Sequence, residues 1–285
     1  MKKVLVGITS RNRASILPKA IQSALNQNYL NKEIAIFDDA STDGTALLQH
    51  SFPDIKWILS KEPRGLMYAR NLFLEVSDAA YFCSLDDDAW FLSENALGIA
   101  IEYLDNNKDV AAIGFEILSP DRNKMRHDNI IETVETNRYI GCGHVLRVDI
   151  AKNTGMYLSA PGFYGSEEKD LCIRMIDAGY KIIKMKGLYV WHDKTSIARD
   201  FHLQHRSNVC NDLVFMWRRT PLMYLVPSFF LKLYKQLAFS IRYKGDSLTM
   251  PCLGGIGDFY RALFTGKIKR NPVSVKAFKK YLSFN

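Results

Sequence analysis

The sequence lacks the short motifs by which many nucleotide-binding and zinc-binding proteins are identified. It contains neither GxGxxG nor GxxxxGK[ST], so the glycine cradles of a dinucleotide fold and of a P-loop are both missing. Its five cysteines are odd in number, widely scattered and free of any CxxC spacing, which argues against a disulfide framework and a zinc cluster. We therefore expect free thiols in a reducing compartment.

A long apolar run is missing at the amino terminus. The stretch MKKVLVGITSRNR has too short an apolar core for a signal peptide, so it is interpreted as a first strand, and no secretion is expected. The 285 residues are 47% hydrophobic and 24% charged, an ordinary globular composition that can bury a full core. This length fits one large α/β domain with an appendage, or two modest domains.

Positive charge is concentrated at the carboxyl-terminal end. Residues 199–285 hold 15 Lys and Arg against 4 Asp, a balance of +11, whereas residues 1–198 hold 23 against 26 acidic residues, a balance of −3. Such asymmetry predicts an anionic partner, either nucleic acid or a phospholipid surface. The apolar content of this region favours the surface, and no nucleic acid is expected.

Short apolar runs alternate with stretches of helical spacing through the first half of the chain. The runs are Val4 to Thr9, Glu33 to Phe37, Ile55 to Leu59, Ala80 to Leu85 and Val110 to Phe115. This rhythm predicts an α/β fold whose mainly parallel sheet is covered on both faces. Ligands of such sheets bind beyond the carboxyl ends of the strands.

Polar residues follow three of these runs. They are TSRNR (9–13), DDASTDGT (38–45) and LDDDAW (85–90). Arg11 and Arg13, with Arg70 further along the chain, have forked donors that suit phosphates. Asp38 or Asp39 could accept a hydrogen bond from a base or a ribose hydroxyl. The STDGT stretch is equally an ordinary helix entry, and capping and ligand binding can coexist.

Three consecutive carboxylates, Asp86, Asp87 and Asp88, end a run that reads as a buried strand. Adjacent buried acids repel one another, so the arrangement predicts a cation at this place. Mg²⁺ or Mn²⁺ prefers oxygen ligands and shares them with a diphosphate. Asp86 and Asp88 point to the same side of an extended chain, with Asp87 facing away. The alternative is a solvated acidic turn before a helix.

A second polar patch lies in APGFYGSEEKDLCIRMIDAGYKI, residues 160–182. Glu167 and Glu168 stand at a predicted helix start, where acids complement the helix dipole. The preceding GFYG is not explained in that way and suits a sugar ring, so one of these glutamates could act as a general base. Asp170 and Arg174 are four residues apart and predict an ion pair along the helix.

A histidine, His192, follows the apolar run GLYVW. It could be a structural core histidine or a metal ligand.

These motifs, with RGLMYARN at 64–71, occur in the order and spacing of glycosyltransferase family 2, which the chain resembles over roughly residues 3–195. The resemblance implies a GT-A type, Rossmann-like nucleotide-diphospho-sugar transferase fold. It also implies a catalytic domain at 1–195, followed by a helical basic region at 196–285.

The resemblance also implies roles for residues. Thr9, Arg11 and Asp39 match positions around the nucleotide, Asp86 and Asp88 match the DxD pair, Glu168 matches the catalytic base, and His192 a metal ligand. Many family members have Glu-Asp where this chain has Glu167-Glu168, which leaves open which of the two is the base. The full expected set is Thr9, Arg11, Arg13, Asp38, Asp39, Arg70, Asp86 and Asp87 for the donor, Asp86, Asp88 and His192 for the metal, and Glu167 and Glu168 for catalysis.

The implied function is inverting transfer of a sugar from a UDP- or dTDP-linked donor to an acceptor hydroxyl, assisted by Mn²⁺ or Mg²⁺. The expected context is bacterial cell-surface polysaccharide or lipopolysaccharide synthesis, with a glycan or a lipid-linked glycan as acceptor. A non-catalytic sugar-nucleotide-binding scaffold and a metal-dependent phosphoesterase are the alternatives. Glu168 beside the DxD pair favours an enzyme, and too few further His and Asp motifs are present for the two-metal site that a phosphoesterase usually needs.

An amphipathic helix is predicted within residues 222–244. Its apolar face would hold Phe230, Leu233, Tyr234, Leu237 and Ile241, and its polar face Lys232, Lys235, Gln236 and Tyr243. It could bind an anionic membrane surface or pack as an ordinary core helix. The membrane alternative predicts a cytoplasmic protein that is peripheral at the inner face of the inner membrane.

Overall fold

The computed structural model describes residues 1–125, 130–197, 200–243 and 247–284. The strands are β1 (Val4–Ser10), β2 (Lys32–Asp38), β3 (Lys56–Leu59), β4 (Tyr81–Asp86), β5 (Ala89–Phe91), β6 (Val110–Leu118), β7 (Glu132–Thr136), β8 (Gly143–Arg147) and β9 (Lys181–His192). The helices are α1 (Leu17–Leu25), α2 (Leu66–Val76), α3 (Ala96–Asn106), α4 (Val148–Asn153), α5 (Glu167–Asp177), α6 (Phe201–Arg219), α7 (Leu222–Arg242), α8 (Thr249–Phe264) and α9 (Val275–Leu282), with a 3₁₀ helix at Thr45–His50.

The strands form one sheet in the order β3-β2-β1-β4-β8-β6-β9-β5, and β7 pairs with β9. The first four strands are parallel, as the alternating pattern predicts. The second half is mixed, because β8 runs antiparallel to both β4 and β6 while β6 and β9 are parallel. The α/β fold is thus confirmed, and its parallel character is strongest on the amino-terminal side.

Parallel pairing explains how distant polar residues come together. Thr9 on β1 lies opposite Asp86 on β4, and Ser10 lies opposite Asp38 on β2. The strand interiors hold this register because they are buried on both faces, and each fully buried Val, Leu or Ile contributes roughly 1.5–3 kcal/mol. The polar ends of these strands therefore share one edge of the sheet.

The helical region after residue 200 packs directly against the preceding part of the chain. Asp170 on α5 accepts hydrogen bonds from Arg219 on α6, at 2.6 Å to Nε and 3.2 Å to Nη2, and both side chains are buried. The predicted pair of Asp170 with Arg174 is also present, at 2.9 Å. A boundary between residues 195 and 196 stays a prediction, since α6 shares this buried ionic network with α5.

Helix α7 is amphipathic, as its sequence predicts, and three residues of its predicted apolar face are exposed rather than packed in the core. Phe230 and Tyr234 are 64% and 63% exposed, and Ile241 is 71% exposed. Lys232 and Gln236, from the predicted polar face, point inward and donate hydrogen bonds to Asp212 on α6, at 3.0 and 2.7 Å. The buried carboxylate of Asp212 explains this orientation, because it needs cationic and amide donors from the helix that covers it.

The remaining predicted members of the two α7 faces are divided. Leu233 and Leu237 are half-buried, and Leu237 packs against the apolar cluster of α6 and α8. Lys235 and Tyr243 are exposed, as predicted. Only Leu225 and Ser240 of this helix are buried, so α7 is not an ordinary core helix. Among the described residues, no helix combines the length and apolar character that crossing a membrane requires.

Candidate active site

A pocket of about 510 Å³ lies beyond the carboxyl ends of β1, β2 and β4. This is the edge at which the alternating pattern predicts ligand binding. Of the predicted residues, those that line it are Thr9, Arg11, Arg13, Asp39, Asp86, Asp87 and Asp88. Leu203 and Gln204 of α6 complete the wall, so the helical region contributes to the same pocket.

The two arginines from the end of β1 have different surroundings. Arg13 is buried, and its Nε lies 3.8 Å from Asp87 Oδ2. Burial raises the pKa of Asp87 to about 7, although Arg13 acts in the opposite direction. Arg11 is exposed at the pocket. Of the pair, Arg11 is therefore the one placed to meet a phosphate, whereas Arg13 neutralises a carboxylate.

The two aspartates from the end of β2 also differ. Asp39 lines the pocket and accepts hydrogen bonds from the backbone N–H groups of Arg64 (2.6 Å) and Gly65 (3.1 Å). Asp38 is buried, accepts a hydrogen bond from the Ser41 hydroxyl, and is not among the described lining residues. Burial raises the pKa of Asp38. The prediction that Asp38 or Asp39 meets the nucleotide thus favours Asp39.

The predicted metal ligands come together at the turn between β4 and β5. His192 Nε2 lies 3.2 Å from Asp88 Oδ1 and 4.0 Å from Asp86 Oδ2. The antiparallel pairing of β5 with β9 causes this, because it sets Ala89 opposite His192. Asp88 is fully buried, and its Oδ2 accepts a hydrogen bond from the Thr195 backbone N–H at 3.1 Å. Sequence-distant side chains are therefore fixed as one cluster.

Cys142 also belongs to this cluster, although no sequence motif points to it. Its Sγ and one ligand atom each of Asp86 and His192 lie within 4.8 Å of one another. Burial raises the pKa of the Cys142 thiol well above its ordinary value. Sulfur is a soft ligand that suits a hard cation poorly, whereas the carboxylates of Asp86 and Asp88 suit one.

The donor set fits a divalent cation of the Mg²⁺ or Mn²⁺ type. Burial raises the pKa of Asp86, and the neighbouring Asp88 and Glu168 act in the same direction, while Arg70 and His192 oppose them. Such crowding of acids is relieved when a cation binds between them. Asp86, Asp88 and His192 are the side chains that would hold it.

Arg70 is buried among protein groups, in contrast to the prediction that it faces phosphates. Its Nη1 donates to Glu168 Oε1 at 2.8 Å, and its Nη2 lies 3.5 Å from Asp86 Oδ1. Its Nε donates to Ser84 Oγ at 3.2 Å, and its Nη2 also donates to the Gly141 carbonyl oxygen at 3.0 Å. A buried guanidinium requires such partners. Arg70 consequently connects the acidic turn at Asp86 to Glu168.

Gly141 lies where any larger residue would collide with this connection. A Cβ atom there would stand 2.2 Å from Glu168 Oε1 and 2.7 Å from Arg70 Nη2. The absence of a side chain is what lets the loop before β8 approach the ion pair.

The two glutamates at the start of α5 occupy different environments. Glu168 is partly exposed and paired with Arg70. Glu167 is buried, and burial together with the charge of Glu168 raises its pKa to about 7. Successive helical residues point about 100° apart, so the two carboxylates face different directions. Glu168 is the one that lies beside the metal-binding edge.

The loop that leads into α5 is held by polar side chains of α6. Asn211 accepts a hydrogen bond from the Gly162 N–H and donates to the carbonyl oxygens of Gly162 and Tyr164, at 2.9–3.0 Å. Ser166 donates its hydroxyl hydrogen bond to Asp212 at 2.5 Å. Gly165 and Ser166 have φ of 99° and 69°. This left-handed backbone conformation is unfavourable for a residue other than glycine, so Ser166 needs the support of these hydrogen bonds. Sequence reasoning missed this role of α6.

A usable signal for these α6 residues is present in the sequence. Asn211 and Asp212 interrupt the apolar stretch VCNDLVFMW, and polar residues within a buried helical stretch mark specific hydrogen bonding. Arg174, by contrast, is structural. It donates hydrogen bonds to Asp170 and to the carbonyl oxygens of Thr154 and Met156, so its guanidinium is engaged within the protein.

The sheet is mixed, with a parallel amino-terminal half whose carboxyl edge carries an acidic turn, and a glutamate is tied to that turn. This architecture is that of the GT-A glycosyltransferase class. The chain belongs to glycosyl transferase family 2, whose model matches residues 5–160, more than half of its length. The resemblance found in the sequence motifs is thereby confirmed.

Individual relatives agree with this assignment. The chain is 36% identical over 93 residues to the Escherichia coli UDP-Glc:alpha-D-GlcNAc-diphosphoundecaprenol beta-1,3-glucosyltransferase WfaP, a match that covers 32% of this chain and 37% of the relative. Staphylococcus aureus TarS 1–349 in complex with UDP-GlcNAc superimposes with a TM-score of 0.65 at 14% identity, covering 91% of this chain and 81% of TarS. The Pyrobaculum calidifontis mannosyltransferase PcManGT, in complex with GDP-Man and Mn²⁺, gives 0.60 at 14% identity, covering 99% and 79%.

Proposed function

We propose that the protein is an inverting glycosyltransferase that moves a sugar from a UDP- or dTDP-linked donor to an acceptor hydroxyl, in the synthesis of a bacterial cell-surface polysaccharide or lipopolysaccharide. The observation that carries the proposal is the bridge made by Arg70. It joins Glu168, at 2.8 Å, to Asp86, at 3.5 Å, and so sets a carboxylate beside the metal-binding turn. A scaffold that only binds nucleotides has no need of that carboxylate.

The donor occupies the pocket at the carboxyl edge of the sheet. Thr9, Arg11 and Asp39 line this pocket. In the proposed arrangement Asp39 and Thr9 contact the nucleoside and Arg11 the phosphates. Asp86, Asp88 and His192 would hold Mn²⁺ or Mg²⁺, and a divalent cation there would neutralise charge that develops on the diphosphate leaving group. The complexes of TarS with UDP-GlcNAc and of PcManGT with GDP-Man and Mn²⁺ support this assignment by fold.

The acceptor hydroxyl is deprotonated by Glu168. The oxygen attacks the anomeric carbon on the face opposite the diphosphate, the bond from that carbon to the diphosphate breaks, and the configuration inverts. Glu168 is partly exposed beside Asp86, whereas Glu167 is buried. Phe163 and Tyr164, which are exposed at the pocket, are suited to pack against a sugar ring. The acceptor is a glycan or, as in the name of WfaP, a lipid-linked one.

A peripheral position at the cytoplasmic face of the inner membrane is part of the proposal. The exposed side chains of α7 that support it are Met223, Val226, Phe230, Tyr234 and Ile241, which fall on one face of the helix. Lys235 and Arg242 of the same helix are exposed, and the region from 199 onward carries a balance of +11. An apolar face with a basic border is the pattern of a helix that lies in the interface of an anionic membrane.

The test is transfer itself. Purified protein is incubated with Mn²⁺, a panel of nucleotide sugars and a lipid-linked GlcNAc acceptor, and the anomeric configuration of the product is determined by NMR. We expect one UDP- or dTDP-sugar to give a product of inverted configuration. A retained configuration would contradict the mechanism. Hydrolysis of simple phosphoesters without any transfer would assign the site to a phosphoesterase instead.

A further inference from the structure

A second cavity, separate from the donor pocket, lies between α5, α6, α7 and α9. Its volume is about 420 Å³, within the range of small-ligand sites. We propose that this cleft binds the phosphate headgroup of an anionic phospholipid together with the first part of an acyl chain. The proposal deepens the membrane part of the proposed function and is independent of sugar transfer.

Four of the residues that line the cleft are cationic. They are Arg138, Lys169, Lys232 and Lys235, and none of the described residues that line the cleft is acidic. The nearby carboxylate of Asp212 pairs with two of the four, at 2.6 Å to Lys169 Nζ and 3.0 Å to Lys232 Nζ. Four cations against one adjacent carboxylate leave an excess of positive charge, which an anionic group would balance.

Most of the other residues that line the cleft are apolar. They include Phe215, Met216, Leu231, Phe278 and Leu282. A free inorganic anion gains nothing from an apolar lining, whereas burying each methylene of an acyl chain contributes about 0.8 kcal/mol. The combination therefore selects an amphiphile with an anionic head.

The position of the cleft on α7 indicates the source of that amphiphile. Helix α7 contributes Ser228, Leu231, Lys232 and Lys235, which form one stripe along the helix at spacings of three, four and seven residues. At 100° per residue the edge of this stripe at Leu231 lies about 60° around the helix from Tyr234 of the exposed apolar face, and Leu231 is itself 54% exposed. The cleft thus borders the surface on which a bilayer would lie, and a phospholipid of that bilayer is its occupant.

The experiment uses a lipid that stays monomeric, so that binding by the exposed face of α7 to vesicles does not contribute. Dihexanoyl phosphatidylglycerol, kept below its micelle-forming concentration, is titrated into the full chain by calorimetry without donor or metal. The test variant is the double change R138Q/K235Q, and the matched control is K276Q/K279Q on α9. All four positions are exposed, so each double variant loses two charges without touching the core.

We expect the test variant to bind the lipid about 10- to 30-fold more weakly, because each removed cation takes away roughly one favourable charge interaction with the headgroup. The affinity of the control should change less than about twofold. Dihexanoyl phosphatidylcholine and inorganic phosphate should both bind more weakly than the glycerol lipid. Melting temperatures within about a degree of the parent verify that both variants are folded.

Three results would overturn the proposal. Equal weakening in both double variants would show general surface electrostatics rather than a site. Inorganic phosphate as tight as the lipid would show an anion site without a role for the apolar lining. Geranyl diphosphate binding more tightly than the phospholipid would assign the cleft to a lipid-linked acceptor. None of these results bears on sugar transfer, which the product assay tests separately.

Discussion

The active-site edge and the seam between α5, α6 and α7 are both rich in buried charge, yet they are balanced in opposite ways. At the edge the acids outnumber their cations, and burial raises the pKa of Asp86, Asp87 and Glu167. In the seam Asp212 is surrounded by Lys169, Lys232, Ser166 and Gln236, and although burial acts to raise its pKa, these partners hold it well below its ordinary value.

The difference separates carboxylates that a cation would stabilise from a carboxylate that holds the fold. The excess negative charge at the edge is relieved by a cation. The carboxylate of Asp212 in the seam already has its hydrogen-bond partners and would gain nothing from a bound cation. Removing it would leave the ammonium groups of Lys169 and Lys232 facing each other. Carboxylate substitutions should therefore affect function at the edge and stability in the seam.

The largest effect is expected at Glu168. A general base acts on the acceptor hydroxyl and contributes little to donor affinity, so Glu168→Gln should lower turnover by about a hundredfold or more. Donor affinity should stay near that of the parent. The measurement is transfer rate and donor dissociation constant with the same acceptor.

Glu167→Gln is the matched control for that variant, since it makes the same chemical change one residue earlier. It should lower turnover much less. If Glu167→Gln were the inactive variant, the base would move to Glu167. If both kept full transfer, a carboxylate base would be excluded.

This assignment shows how far the sequence reaches. The ends of β1, β2 and β4 could be placed on one edge because parallel strands align their carboxyl ends. The position of the DxD turn at that edge follows from this alignment alone. The burial of Arg70 could not be predicted, because it depends on Gly141 and Glu168, which are 71 and 98 residues away.

Helix α7 shows the same limit. Its periodicity predicts an amphipathic helix correctly, but periodicity alone does not say which face is inward. That choice is made by Asp212, a single buried carboxylate on another helix that recruits Lys232 and Gln236. Long-range polar partners therefore determine both the burial of Arg70 and the inward face of α7.

The second largest effect is expected in the seam. Asp212→Asn should destabilise the fold by about 3–5 kcal/mol, because it breaks a buried ionic network. The control is Asp258→Asn on α8, which removes a more exposed ion pair with Arg206 of α6, the helix that also holds Asp212. This variant should lower the free energy of unfolding by about 1 kcal/mol or less. Urea unfolding of the two variants provides the comparison. Equal losses would show that the seam is no more important than a surface ion pair.

A smaller effect, opposite in character, is expected at Asp88. Asp88→Asn should weaken Mn²⁺-dependent UDP or dTDP binding by roughly tenfold or more, because the cation loses a carboxylate ligand. Without metal, its melting temperature should equal or exceed that of the parent, because crowding with Asp86 and Asp87 is relieved. The amide oxygen can still accept the Thr195 hydrogen bond. Unchanged Mn²⁺-dependent affinity would remove Asp88 from the metal site.

The smallest effect concerns Glu167 and pH. Its pKa is about 7 in the folded protein, against an ordinary value near 4.5, so the folded state binds more protons than the unfolded state between these values. The contribution of Glu167 to the free energy of unfolding must therefore fall as pH rises from about 4.5 through 7, because a buried carboxylate becomes charged next to Glu168. Glu167→Gln removes that titration. The variant should consequently gain melting temperature relative to the parent at about pH 8 and lose that advantage at about pH 5.

The same scan of Glu168→Gln is the comparison, because that carboxylate is paired with Arg70 and its loss leaves the guanidinium without its nearest partner. A Glu167→Gln curve parallel to that of the parent at all pH values would show that Glu167 is not a strained acid, and the contrast between edge and seam would then rest on the aspartates alone.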